Sequence, residues 1–171
     1  MTIIVARPDE LTATDRAGFI AFVRAAREVN AATLPALVDA AFALITIHAE
    51  GKLIGTAAIK NPDIGYHADV FAKAGIGEQA KDYALELGWV HVQADCEGRG
   101  HGRALIAAAI EAAGGAAIYA TTKSATMHYL LPQYGFEPAG NPYPSTQVKG
   151  ENISVFVRAT ATADSVSGNE A

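Results

Sequence analysis

A run of alternating glycines does most to constrain this chain. Between Val92 and Ile106 it reads VQADCEGRGHGRALI, with Gly98, Gly100 and Gly102 interleaved with Arg99 and His101. An apolar segment precedes the run, and an alanine- and leucine-rich segment of helical character follows it. Glycine takes φ > 0 without a Cβ clash and lets a ligand approach the main chain. At the mouth of a helix such a turn directs successive N–H groups inward, at the positive end of the helix dipole, and so forms a nest for an anion. The pattern predicts φ > 0 at the three glycines and a phosphate or pyrophosphate as ligand. Arg99, Arg103 and His101 would add charge from the rim.

Three phosphate sites compete for this pattern. A phosphate-binding Walker loop needs Gly-Lys-Ser/Thr, but Gly102 is followed by Arg103-Ala104, so no magnesium ligand is supplied. A dinucleotide fingerprint needs GxGxxG, and the spacing here is GxGxG. The third is the pyrophosphate of coenzyme A. The plain alternative is a glycine-rich turn that holds nothing.

The surrounding pattern alternates strand and helix. TIIVARP, from Thr2 to Pro8, reads as a first strand, and Thr14–Asn30 carries apolar residues at helical spacing. A short helix follows, with Thr33 as N-cap and Pro35 in its first turn. FALITIHAEGKLIGTAAIK predicts a hairpin turning at Glu50-Gly51-Lys52. Pro62–Gly77 reads as a loop with a helical piece at Ala68–Ala74. KDYALELGWVHVQ reads as a long strand, and the helix after the arch runs from about Gly102 to Ala113, stopped by Gly114-Gly115. AAIYATT is another strand, Ser124–Gln133 a short helix, and YGFEPAG leads into a closing strand pair with NISVFVRAT. Strand, arch, helix and strand in succession predict a parallel crossover within a mixed sheet. Residues 1–159 read as one domain, and 160–171, small and polar without periodicity, as a loosely held tail.

Composition excludes several functions. The net charge is −5 with no block of like charges, which argues against a nucleic-acid binder. The single cysteine, Cys96, allows no internal disulfide and no cysteine-rich zinc site, and the five histidines form no metal-binding pair. No metal is expected. No apolar run reaches the ~18 residues of a membrane span, and MTIIVARPDE lacks the features of a signal peptide. The expected location is cytoplasmic, with no membrane partner.

LGWVHVQADCEGRGHGRALI, then a strand, then MHYLLPQYGFEPAG, resembles the GNAT superfamily of acetyl-CoA-dependent N-acetyltransferases. Gly100 and Gly102 fill the glycine positions of the family's arch, and Tyr134-Gly135-Phe136 matches its closing Gly-Phe element. The resemblance covers about residues 2–158. It implies a mixed α/β fold of about six to seven strands, splayed at the strand before the arch and flanked by about four helices. It also implies acetyl-CoA as donor, a small-molecule or peptide amine as acceptor, and direct transfer without a covalent enzyme intermediate; a homodimer is allowed. The implied cofactor-binding set is Val90, His91 and Val92 on the splayed strand, Glu97, Gly98, Arg99, Gly100, His101, Gly102 and Arg103 at the arch, and Ser124. The chain departs from the family in two places. Glu97 stands where the family has Arg or Gln, and Leu131 where it often has a tyrosine acid. Tyr129, His128 and Tyr134 stand near that second position, out of register, and Tyr129 is the named substitute.

An alkylamine of pKa ~10 arrives protonated at neutral pH, so a proton acceptor is needed. Glu86, in the apolar ALELGWV, is the first candidate for general base. It lies six residues before Val92, which puts both side chains on one face of a regular strand. It also matches the register of the glutamate base in the histone-acetyltransferase branch. The alternative is a Glu86 that faces solvent or pairs with a lysine. His91 is the second candidate, and Trp89 is read as core. Tyr66, His67 and Asp69 precede the strand and are placed facing the acceptor. Two further functions stay open: a coenzyme A-binding module without turnover, and an acetyltransferase-like fold used for protein interaction.

Overall fold

The computed structural model describes residues 1–26 and 30–160. The elements are β1 (Thr2–Ala6), α1 (Ala13–Ala25), α2 (Leu34–Asp39), β2 (Ala43–Ala49), β3 (Lys52–Lys60), α3 (Ile64–Lys73), β4 (Leu85–Val92), α4 (His101–Ala112), β5 (Ile118–Thr122), α5 (Ala125–Leu130), β6 (Glu137–Pro144) and β7 (Asn152–Arg158). The strands form one seven-stranded sheet in the order β1-β2-β3-β4-β5-β7-β6. Among the described residues only β4 and β5 pair in parallel. The parallel crossover runs through the arch and α4, as strand–helix–strand succession requires.

Local chemistry accounts for the boundaries. α1 starts at Thr12, whose hydroxyl accepts the Asp15 N–H at 3.1 Å. It ends at Ala25, short of the expected Asn30; residues 27–29 of that expectation lie outside the described residues. Thr33 holds the N-cap position of α2, but its hydroxyl donates to the Asn30 carbonyl at 3.3 Å instead of capping. Glu50 and Gly51 both have positive φ, +50° and +76°, the turn geometry that suits a tight hairpin between twisted strands. The helical piece before β4 is longer than expected, Ile64–Lys73, because Asp63 caps it by accepting the N–H groups of Gly65 and Tyr66. Gly77–Asp82 forms a 3₁₀ turn, so β4 begins only at Leu85. Of the expected tail, 161–171 lies outside the described residues.

The sheet is covered on both faces. On one face α4 lays Leu105, Ile106 and Ala109 against Ile45, Ile47, Ala57, Ile59 and Leu87. Each large aliphatic side chain buried there stabilises the fold by about 1.5–3 kcal/mol. Gly55 on β3 permits the close approach: a Cβ there would stand 3.2 Å from Leu105 Cδ1 and 3.1 Å from the His91 carbonyl oxygen. On the other face α1 and α2 bury Phe19, Val23, Leu34 and Val38 against Leu44, Ala58 and Trp89. Beside them α3 packs Val70 and Phe71 on Tyr119, Tyr143 and Val155. No described helix is long and apolar enough to cross a membrane.

Candidate active site

The arch closes over the N-terminus of α4. Gly98 and Gly100 have φ of +72° and +84°, and Gly100 is the N-cap of α4 without any side-chain cap. A Cβ at either position would meet no atom within 4 Å, so open space faces the turn. No acidic residue stands in the first turn of α4. The N–H groups of His101, Gly102 and Arg103 are therefore the unpaired donors of a helix start, suited to an anion. Gly102 departs from expectation. It lies inside α4 and takes no positive φ, because the turn is complete at Gly100. Arg99 is exposed and does not line the cleft. Arg103 does, but its guanidinium is tethered to Gln133 Oε1 and lies 5.9 Å from the centroid of the Tyr129 ring.

The arch opens onto a cleft of about 1050 Å³ that runs along β4. Two irregularities of β4 make it. The parallel ladder with β5 runs only through Leu85↔Ile118, Glu86↔Tyr119 and Leu87↔Ala120, after which the two strands are unpaired. On the other side, β3 pairs Ala58 with Gly88 and Thr56 with His91, so Trp89 and Val90 together face Ala57 alone. This is a β-bulge, and Trp89 carries φ of +51°, an uncommon backbone for an aromatic residue. The Thr56 hydroxyl, fully buried, donates to the displaced Trp89 carbonyl at 3.0 Å.

The bulge changes which side chains share a face. Leu87, Val90 and Val92 pack toward α4, whereas Trp89 joins the core beneath α1, its ring 6.1 Å from that of Phe19. Glu86 therefore lies on the face opposite Val92. The expected parity of the two holds only for a strand without an inserted residue.

Glu86 is 2% exposed, and its carboxylate is surrounded by donors. Lys60 Nζ lies 2.8 Å from Oε2, and the Tyr119 hydroxyl donates to the same oxygen at 3.3 Å. Thr121 and Tyr66 donate to Oε1 at 3.2 and 3.4 Å. The lysine pairing, one of the two alternatives weighed above, is thus present. Lys60 is seated by Gly88, where a Cβ would stand 2.8 Å from Lys60 Cε, and its ammonium lies 5.3 Å from the Trp89 ring centroid. Burial first, and then the Glu86 charge, hold the Tyr66 and Tyr119 hydroxyls far above the ordinary tyrosine range. The same causes push Tyr143 up to about 12. Tyr66 as a whole is 44% exposed, but its hydroxyl end is turned inward to the carboxylate. All three tyrosines are therefore neutral at physiological pH, and Tyr66 and Tyr119 donate to the carboxylate.

The other residues named from the sequence distribute as follows. Val90, His91, Val92, Glu97, Gly98, Gly100, His101, Gly102, Arg103, Ser124 and Tyr129 line the cleft with Glu86. Ser124 also caps α5 by accepting the Met127 N–H at 3.4 Å. Tyr129 is 66% exposed, whereas Leu131 is fully buried in the core. Tyr66 lines the cleft, Asp69 lines a smaller neighbouring cavity of about 360 Å³, and His67 is turned to the Tyr83 carbonyl at 2.8 Å. Burial, followed by the Asp95 neighbour, pushes the half-buried Cys96 thiol up, so it stays protonated. Among the described residues no group of three or more His, Cys, Asp or Glu could hold a metal ion. Sequence reasoning missed Lys60, Thr56, Tyr119 and Thr121. A lysine ending an apolar strand and a glycine before a tryptophan were the available signals, since an isolated glycine in a strand marks a bulge or a close approach.

Similarity to known proteins agrees with this geometry. No curated protein sequence matches the chain. Solved structures do. Escherichia coli ElaA superposes with a TM-score of 0.66 at 16% identity, covering 92% of this chain and 98% of that one. The ribosomal-protein-S18-alanine N-acetyltransferase of Escherichia coli gives 0.64 at 17% identity, over 98% and 100%. An acyl-CoA N-acyltransferase from Pseudomonas aeruginosa gives 0.64 at 15%, over 92% and 99%. At such identities the likeness is one of fold. The sequence model of the acetyltransferase (GNAT) family matches residues 13–134. With the glycine-bounded helix start beside the parted β4 and β5, that match places the chain in the GNAT family of acetyltransferases, enzymes that in general use acetyl-CoA as donor.

Proposed function

We propose that this protein transfers the acetyl group of acetyl-CoA to a primary amine directly, within the cleft along β4. The carrying observation is that the arch, the parted strands and a buried carboxylate all line one continuous cleft. The residues fit coenzyme A: uncapped N–H donors at the start of α4 suit a pyrophosphate, and the open backbone of Val90–Val92 suits an extended amide chain. Acetyl-CoA, when bound, supplies an activated thioester. The acceptor nitrogen forms the new C–N bond, the C–S bond breaks, and coenzyme A leaves as thiolate.

The chain's own residues handle the protons. Glu86 takes the proton of the acceptor ammonium. Because the carboxylate is buried, the proton passes through the hydroxyls of Tyr66 or Thr121, or through a water held between them. His91, half-buried in the cleft, is the second acceptor. Tyr129, which lines the same cleft, returns a proton to the thiolate. A thiol pKa of only ~8.5 makes that step the less demanding one, so Leu131 is compatible with turnover. Glu97 is an exposed rim charge that lowers affinity without removing the backbone donors.

Thiol release from acetyl-CoA over a panel of amines tests the reading, with calorimetric binding of acetyl-CoA in EDTA alongside. Turnover with at least one primary amine supports it. Tight binding with no turnover on any amine would leave a coenzyme A-binding module.

A further inference from the structure

The proposed acetyl transfer needs a donor for the thioester carbonyl oxygen, and the β4 bulge contains a device that aims one. A trans peptide holds its C=O and N–H in opposite directions. Trp89 and Val90 share such a peptide, since the described chain has no cis bond. The Trp89 carbonyl is held by the Thr56 hydroxyl, which comes from β3. The Val90 N–H therefore points away from β3. On that side lies β5, and the β4–β5 ladder has already ended at Leu87↔Ala120. The N–H is thus directed into the gap between the parted strands, where Val90 lines the cleft.

A left-handed tryptophan is strained and persists only where its surroundings over-determine it. Here two groups do so. The Trp89 ring is locked under α1 against Phe19, and the Trp89 carbonyl, displaced from the ladder, is satisfied by Thr56. Thr56 is 0% exposed and one of few polar residues inside the sheet, so its hydroxyl has no role toward solvent. We propose that Thr56 is a positioning residue: by holding the Trp89 carbonyl it aims the Val90 N–H at the carbonyl oxygen of the bound thioester. This rests on the acetyl-transfer reading above.

The test combines two variants with one measurement on the unaltered protein. In wild type, the Val90 amide proton moves downfield when acetyl-CoA binds and stays in place with coenzyme A, which lacks the acetyl group. Thr56→Val keeps the shape and removes the hydroxyl. It lowers kcat by about 10²-fold, the order seen for loss of an oxyanion donor. Its Kd for acetyl-CoA stays within about threefold of wild type, because the arch is untouched, and it loses the Val90 shift. Thr56→Ser keeps the hydroxyl and restores both within about threefold. A Val90 amide that ignores acetyl-CoA in wild type overturns the proposal, whether or not Thr56→Val folds. So does a folded Thr56→Val with wild-type kcat. Failure of wild type to bind acetyl-CoA overturns the acetyl-transfer reading itself, and the proposal with it. Binding with an unmoved Val90 removes the Thr56 proposal alone.

Discussion

At one end of the cleft the surface is main chain, from Gly98 to Arg103. At the other it is side chains gathered from β3, α3, β4 and β5 around Glu86. The arch needs only consecutive residues: two glycines with positive φ and a helix start without a cap. The carboxylate needs Lys60, Tyr66, Tyr119 and Thr121, which are 20 to 35 positions from Glu86 in the chain. A main-chain site is insensitive to the side chains it carries, so the proposed binding of coenzyme A does not depend on Arg or Gln at the position of Glu97. A side-chain site is sensitive to each member, because a buried carboxylate that loses a donor keeps its desolvation cost.

The sharpest way to separate the two ends is Glu86→Gln. It should lower kcat by ~10²–10⁴-fold, the span of general-base loss, while the Kd for acetyl-CoA hardly changes. Activity should recover as pH rises and the acceptor amine becomes neutral. A pH–rate profile of both proteins with the best amine of the panel decides this. Equal profiles would remove Glu86 from the chemistry and leave it as the anchor of Lys60.

The tyrosine shell predicts a pH effect on stability. Tyr143 has its folded pKa raised to about 12 from an unfolded value of about 10. The neutral form is the one the fold favours, so this contribution is complete below pH about 10 and is lost as pH rises toward about 12. The slope is at most about 1.4 kcal/mol per pH unit for such a group. Denaturant midpoints measured from pH 9 to 12 should fall over that window, and Tyr143→Phe should flatten the fall. A midpoint independent of pH there would contradict the burial of the shell.

At the arch the expected effects are smaller. Gly100→Val forces a β-branched residue into φ of +84° and should weaken acetyl-CoA binding about tenfold or more, with a cost to the fold of ~1–2 kcal/mol. Gly102→Ala meets nothing nearer than Leu130 Cδ1 at 3.8 Å and sits in a helix, so it should leave the stability equal or raise it by up to ~1 kcal/mol, read as an unchanged or higher melting temperature. If the two glycines prove equally sensitive in melting experiments, the turn does not end at Gly100. The smallest effect is Glu97→Gln, which should leave the acetyl-CoA Kd equal or about twofold tighter in low salt, since the residue is exposed and screened. A clear loss of affinity in calorimetry would assign Glu97 a binding role.

Local patterns carried much of this molecule. The hairpin at Glu50-Gly51, the arch before α4, and the order of strands and helices all follow from neighbours in the chain, because turns, caps and periodicity are short-range properties. Glu86 was conspicuous for the same reason, a carboxylate in an apolar strand. What surrounds it was not legible. Lys60 meets Glu86 only through the β3–β4 register, and Tyr119 and Thr121 only through the parallel pairing with β5. Strand parity placed Glu86 and Val92 on one face. The inserted residue at Trp89–Val90 put them on opposite faces, and no alternation rule applied to β4 alone reveals an insertion that is defined by its partner strand. The left-handed Trp89 is stable because Phe19 from α1 and Thr56 from β3 hold it from two directions, and those contacts exist only once the sheet and helices have come together.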